Sequence, residues 1–273
     1  MICQTFGITR SAYYNRKKHP QTVKEKADQQ LGKAAKTLFE KNKKEYGRVR
    51  LRKAMVEAGY HISEGRVRKL MQQEHLVPKK RRKYKATTNS KHKYRVADNL
   101  LNQDFKAEKP NRKWCGDSTF IRTEEGWLYA AGIIDLCDRS CVGLWIDDRH
   151  TQELMLNALE SAYKEHRPKG GLIFHSDRGV QYAADTYKQK LKDYKMVQSM
   201  SRSGNPYDNA AMESFWSTVK TGCILGERFV TKEAAKKAIY EYVFGFYNIK
   251  RYHTGIGLEV PNEYRKRMLD TGT

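Results

Sequence analysis

No run of apolar residues in this 273-residue chain approaches the ~20 needed to cross a bilayer, and the first residues do not read as a secretory leader. A membrane partner is therefore not expected. Cysteine is sparse: five residues, an odd number with no CxxC pair, which excludes a disulfide scaffold and fits a reducing cytosol. Cys137 and Cys141 flank a turn, but no second pair accompanies them, so buried thiols are expected rather than a metal site. Acidic residues are also short, with 31 Asp and Glu against 53 Lys and Arg. The resulting net charge of +22 calls for a polyanionic partner, most simply a nucleic acid.

What is present is organised around Ser201–Ile224, a polar loop running into one helix. Asp208 or Asn209 can cap its start, and Met212, Phe215, Trp216, Val219 and Cys223 recur at the three-to-four spacing of an apolar face. Glu213 sits at the margin of that face, with Asn209 and Lys220 on its side. Two acids upstream keep it company. Asp177 follows the short apolar run Leu172–Phe174, at the carboxyl end of a strand, where open sheets present reactive groups. Asp117 lies inside strand-like WCGDSTFI, and Asp is depleted from strands. Three carboxylates suit hard, oxygen-seeking Mg²⁺ or Mn²⁺. Two such ions can activate a hydroxyl and stabilise the leaving oxygen of a phosphodiester. A solvated helix Glu and a turn Asp are the bland alternatives for Glu213 and Asp177.

The order Asp117, Asp177, Glu213, with 35 residues between the last two, resembles the DDE transposases and retroviral integrases. The strings WCGDSTFI, GWLYAAGIIDLCDRSCVG, HSDRGVQY, SMSRSGNPYDNAAMESFWSTVKT and YNIKRYHTG narrow the resemblance to the second-frame (OrfB) transposases of bacterial insertion sequence family three. It covers nearly the whole chain. The resemblance implies an α/β, ribonuclease H-like integrase core: a mixed five-stranded sheet with flanking helices, preceded by a small all-α helix-turn-helix-like domain. It further implies a DNA transposase whose triad Asp117, Asp177 and Glu213 holds two Mg²⁺ ions, or Mn²⁺, and is both catalytic and metal-binding. Double-stranded DNA would be the partner, as terminal repeats and as target. An upstream OrfA product, fused by frameshifting, a homo-oligomer on DNA and a bacterial cytoplasmic location are implied as well. Two residues depart from the family pattern: Ser118, where a β-branched apolar residue is usual, and Gly222, where an acid is commoner. Near its helix end Gly222 reads as a stop.

The chain divides as 1–20, a partial helix-turn-helix-like segment; 21–77, a helical DNA-binding domain; 78–110, a basic linker; and 111–273, the catalytic core. In the first segment Gly7 makes a turn and Thr9 caps a helix. Helices are expected over Thr22–Tyr46, Arg48–Ala58 and Glu64–Glu74, the last capped by Ser63. Strands are expected over Lys113–Thr123, Trp127–Cys137, Cys141–Asp147, Gly171–Asp177 and Met196–Ser201. Helices follow at Thr151–His166, Asp185–Lys195 and Thr231–Asn248, with Phe244 and Tyr247 packed on the sheet. Asp135, Asp138, Asp147 and Asp148 fall at strand ends or edges away from the triad.

Candidate DNA contacts are Arg66 and Lys69 on the third helix, and Lys79, Lys80, Arg81, Arg82 and Lys83 in the linker. Residues 79–95 hold nine Lys or Arg and no acid, a pattern suited to neutralising phosphates. Near the triad, Lys220, Asn209, Tyr207 in the Ser203–Tyr207 loop, and His175 are further candidates; His175 is equally suited to packing. Two competing functions remain open at this level: a ribonuclease H-type nuclease, and a non-catalytic DNA-binding repressor of transposition.

Overall fold

A computed structural model describes residues 2–18, 23–79 and 94–271 of the chain, which separate into two compact units at Lys79/Lys80. The first unit is all helical. α1 (Ile2–Thr5) and α2 (Arg10–Lys18) are joined through Gly7, whose φ of +62° suits glycine, and Thr9 accepts from the Ala12 amide at 3.1 Å as a cap. α3 (Val23–Lys41), α4 (Arg48–Glu57) and α5 (Glu64–Gln73) close around Ala35, Phe39, Tyr46, Leu51, Met55, Val67 and Leu70. Ser63 caps α5, accepting from the Arg66 amide at 3.3 Å. α3 stops short of the expected Tyr46 because the chain turns at Lys43 and Lys44, both at positive φ.

The second unit is built on one five-stranded sheet. Its strands are β1 (Lys113–Thr123), β2 (Gly126–Asp135), β3 (Cys141–Asp147), β4 (Ile173–Ser176) and β5 (Val197–Met200), in the order β3-β2-β1-β4-β5. β1 is antiparallel to β2, β2 to β3, while β4 runs parallel to both β1 and β5. This is the ribonuclease H-like arrangement. Short turns suffice for the antiparallel hairpins, whereas the parallel strands need helical crossovers. α6 (Gln152–His166) makes the first, and α7 (Val180–Ala183) with α8 (Asp185–Asp193) makes the second.

Alternation along the strands sorts the two faces. Trp114, Ala131, Ile133 and Phe174 share one face with Leu154, Leu159, Tyr182 and Tyr187 from α6–α8, and this is the main core. Burying each of these large side chains contributes about 1.5–3 kcal/mol. The opposite face takes α9 (Ala210–Val219) and α10 (Lys232–Tyr242). Each of these two helices relaxes into one wide π-turn, Lys220–Ile224 after α9 and Val243–Tyr247 after α10. The second π-turn carries the helix on to its C-cap at Asn248, the end expected for it. It also rotates Phe244 outward, 41% exposed and stacked on Tyr240, so only Tyr247 of the expected pair is in the core. α11 (Pro261–Asp270) completes the unit.

α11 supplies Arg265 to a buried polar cluster at the β2–β3 turn. Its guanidinium bridges Asp135 at 3.0 Å and Asp138 at 2.7 Å and donates to His166 Nδ1 at 3.2 Å. Asp135 also accepts from the Asn111 amide at 2.6 Å and the Trp114 indole at 3.1 Å. These two acids are structural, in keeping with their place at the far end of the strand. Cys115, Cys137 and Cys141 are buried free thiols.

Candidate active site

β1 is the central strand, flanked by β2 on one side and β4 on the other. The parallel ladder puts Gly116 beside Ser176, where β4 ends. Asp117, still within β1, and Asp177, the first residue past β4, are the next residues along, which sets them side by side at the ~4.8 Å strand spacing. On the other side Asp117 is in register with Gly132 of β2. Registered neighbours share a face, and the missing side chain at Gly132 is what lets α9 settle there. A Cβ at Gly132 would lie 2.9 Å from the Trp216 ring and 3.1 Å from the Phe215 ring. That seat brings Glu213, less than a turn earlier on α9, into the electrostatic range of Asp117.

The electrostatics follow from this arrangement. The Asp117 carboxyl is pushed well above the usual carboxylate range, first by burial and next by the charge of Asp177. Glu213 adds to that push, while the Ser118 amide and the Lys220 ammonium oppose it. Glu213 is exposed on its helix, yet partial desolvation raises its own pKa. Burial lowers the pKa of Lys220 against the opposing pull of Asp117. Asp177 accepts from the Gly179 amide at 2.9 Å, which fixes one of its oxygens in the turn. Among the described residues no three His, Cys, Asp or Glu side chains converge closely enough to hold an ion as they stand. The donors nevertheless fit a hard divalent cation: carboxylate oxygens, crowded by like charge that such a cation would relieve.

The other sequence-level candidates are scattered. His175 is fully buried, its Nδ1 2.8 Å from Ser199 Oγ and its Nε2 3.2 Å from Ser201 Oγ. No surface remains for a phosphate, so the DNA contact expected of His175 is corrected to a role in locking β4 to β5. Burial pushes its pKa down to about 4, with Asp208 opposing. Asn209 is 7% exposed and its side chain does not cap α9; its Oδ1 finds no partner among the described residues. Asp208, the alternative cap, instead clasps the loop: Arg202 donates at 2.8 Å, Asn99 at 2.9 Å and Gln103 at 2.9 Å. Beside that clasp Tyr207 is 71% exposed. Lys220 lies over the Phe120 ring at 5.1 Å. In the first unit Lys69 is exposed, whereas Arg66 is ion-paired with Asp28. The Lys79 amide donates to the Lys44 carbonyl at 2.9 Å, and Lys80, Arg81, Arg82 and Lys83 lie outside the described residues.

One residue beside the acids has no sequence signal. His150 follows β3 in the plain string DDRHT, and only the fold carries it to Ser118 and Gln181. The Gln181 amide donates to Nδ1 at 3.3 Å, so Nε2 carries the proton toward Ser118 Oγ at 2.8 Å. Tyr129 stacks on the ring at 5.3 Å, and the charge of Asp177 reaches it.

A ribonuclease H-like sheet with acids beside its central strand is a frame that integrase cores share, and the family models identify it as one. Two models described as Integrase core domain match residues 107–206 and 194–261, and an HTH-like domain model matches residues 26–84. "Transposase InsF for insertion sequence IS3A" of Escherichia coli (strain K12) is 34% identical over 271 residues, 98% of this chain and 94% of that protein. "Insertion element IS600 uncharacterized 31 kDa protein" of Shigella sonnei is 40% identical over 266 residues, 97% of this chain and 98% of that one. "Transposase for insertion sequence element IS904" of Lactococcus lactis is 40% identical over 238 residues, 86% and 93% of the two chains. Among solved structures, the HTLV-2 integrase catalytic core domain in complex with magnesium superposes with a TM-score of 0.45 at 14% identity, over 57% of this chain and 97% of that one. The chain belongs to the transposases of insertion sequence family three.

Proposed function

We propose that this chain cuts DNA at the ends of its insertion sequence and joins the freed 3′-hydroxyl to a target phosphodiester, using Asp117, Asp177 and Glu213. The observation that carries the reading is the shared field of the three acids: Asp177 and Glu213 both raise the pKa of Asp117, at the edge where β4 stops. Structural acids elsewhere in the chain are neutralised by protein cations, as Asp135 and Asp138 are by Arg265. Here the cation acting on Asp117 is Lys220, and its effect on that carboxyl is the weakest of the five influences. Carboxylates in this state are ready ligands for Mg²⁺, or Mn²⁺, and two ions would supply activation of the attacking hydroxyl and charge neutralisation at the leaving oxygen.

The chain's own groups would do the rest. Asp117 and Asp177 form the fixed half of the ligand set, because β1 holds the first and the Gly179 amide ties the second into the turn that follows β4. Glu213 is the adjustable half, exposed at the start of α9 next to the clasped loop. Lys220 and Tyr207 would hold the DNA strand against the acids, and Lys69 with the basic stretch 79–83 would bind phosphates elsewhere on the duplex. We take residues 78–110 as the linker between a DNA-binding domain and the core. Assembly as a multimer on DNA, fusion to the upstream frame and a bacterial cytoplasmic location belong to the same reading.

The test is a labelled duplex carrying the element end, incubated with Mg²⁺ or with EDTA and sized. Metal-dependent cleavage and strand-transfer products that vanish in Glu213→Gln support the proposal. Hydrolysis of an RNA–DNA hybrid without strand transfer would mean a ribonuclease H-type nuclease. Binding without any cleavage by the unmodified chain would mean a repressor.

A further inference from the structure

Large exposed aromatics are normally scattered singly over a soluble surface. On this sheet they form a row. Phe120 and Trp127 are 42% and 46% exposed, and their rings meet edge to face at 5.3 Å. Cross-strand register places Phe120 directly opposite Tyr129. Tyr129 in turn stacks on His150, which feels the charge of Asp177. The row lies on the face that α6–α8 cover at its other end, so it remains open while Trp114 and Phe174 on the same face are buried. Its inner end approaches the sheet acids through His150, which meets Ser118, the residue next to Asp117, at 2.8 Å; the row itself lies on the face opposite the Asp117 side chain.

Charge beside the row favours one kind of occupant. The Arg122 guanidinium sits 5.9 Å from the Trp127 ring, and the Lys220 ammonium 5.1 Å from the Phe120 ring. Of the nearby acids, Asp148 is paired with the Lys232 ammonium at 3.3 Å and Glu124 with Arg228, Glu125 accepts from the Lys232 amide at 2.7 Å, and Asp147, in register with Tyr129, accepts from the Asp148 amide at 2.6 Å. An aromatic surface with an Arg and a Lys over its two exposed rings matches a strand of bases on a phosphate backbone.

We propose that Phe120 and Trp127 form a stacking shelf for unpaired bases of a DNA strand whose phosphate lies at Asp117 and Asp177. The proposal rests on the phosphodiester chemistry proposed above. It adds that the substrate is opened next to the reacting bond and that the chain holds the opened bases. Stacking is sequence-tolerant, so the shelf would serve any end sequence.

The test separates binding from chemistry. The full chain is titrated in EDTA, at fixed salt, with a duplex ending in a short unpaired thymidine tail and with the same duplex blunt, and tryptophan fluorescence is followed. Quenching by the tailed duplex is expected, and Trp127→Phe should abolish most of it while keeping affinity, because a ring remains. Trp127→Ala and Phe120→Ala should each weaken tailed DNA by about 5- to 150-fold and leave blunt DNA within about twofold. Because both side chains are largely exposed, each variant should keep a cooperative melt and lose only the few degrees that the broken ring contact accounts for. Equal affinity of Trp127→Ala for both duplexes overturns the shelf. So does a change in sedimentation of the variant with no change in DNA affinity, which would mean that a second copy of the chain covers the row. If Asp117→Asn binds tailed DNA normally but the unmodified chain never cleaves, the shelf stands and the transposase chemistry fails.

Discussion

At the scale of single residues, the acids of the candidate site work against the fold. Asp117 is half-buried beside Asp177 and within reach of Glu213, and like charges so placed destabilise the state that gathers them. Asp117→Asn should therefore raise the melting temperature in EDTA, by about 2–4 °C for each kcal/mol of relieved repulsion, while removing cleavage. Mg²⁺ should stabilise the unmodified chain and leave this variant unmoved, because a cation that binds only the folded site stabilises by mass action. An unchanged or lower melting temperature in EDTA would remove the repulsion argument. A second residue-scale prediction concerns His166, which accepts from Arg265 and is held down to about 4 by burial and then by that guanidinium. Its folded pKa lies below the unfolded value of 6.5, so stability is lost as pH falls from about 6.5 to about 4. Asp135, raised to about 6 by burial and Asp138, acts in the opposite sense over nearly the same window and masks the loss. The difference is exposed by His166→Gln, which keeps an acceptor for Arg265 but cannot titrate. Relative to the unmodified chain it should gain about 2 kcal/mol between pH 6.5 and 4, less than the full shift because the ring keeps some solvent. Parallel denaturation curves at several pH values check this, and a pH-independent difference refutes it.

At the scale of elements, glycines at two close approaches set the position of α9. Gly132→Ala would place a methyl 2.9 Å from the Trp216 ring, a clash with a buried side chain rather than with a flexible tip. Overpacking of this kind costs about 1–3 kcal/mol, and lifting α9 moves Glu213 away from the sheet acids. Because a shift of about 1 Å can cost about a hundredfold in rate, strand transfer should fall at least tenfold while the fold survives. A variant that melts lower but turns over normally would show that α9 does not set the position of Glu213. Gly222 has a similar role in the π-turn after α9, since a Cβ there would enter the Tyr242 ring. From sequence this glycine reads as a helix stop; in the fold it is a close approach. The contrast shows which elements are legible in the chain. Turn-bounded strands around Asp117 and Asp177 are readable because alternation, tight turns and an acid in a strand are local signals. The π-turns, the outward rotation of Phe244 and the seat of α9 on Gly132 depend on what a distant segment leaves room for. Asp208 reads as a helix cap for the same reason: its partners Asn99 and Gln103 are more than a hundred residues away in sequence.

At the scale of the whole molecule, 53 basic residues against 31 acidic ones oppose compaction unless the excess charge meets a polyanion. The core deals with its acids locally, through Arg265, Arg202 and Lys232. The densest run of the excess in the sequence is residues 79–95, with nine Lys or Arg and no acid. Each phosphate that such a segment neutralises releases condensed counterions, and log affinity then falls with log salt by about 0.9 per phosphate. Affinity of the full chain for an element-end duplex should consequently drop steeply between low and physiological salt. Deleting residues 79–83 should reduce the slope by about 0.9 for every phosphate no longer neutralised, with weakened binding across all duplex sequences alike. Trp127→Ala should behave differently in the same assay, lowering affinity for tailed DNA with the slope unchanged, because stacking releases no counterions. If the deletion leaves the slope intact, the basic run is not where the DNA backbone is held, and the charge must be engaged by the helical unit or the core instead.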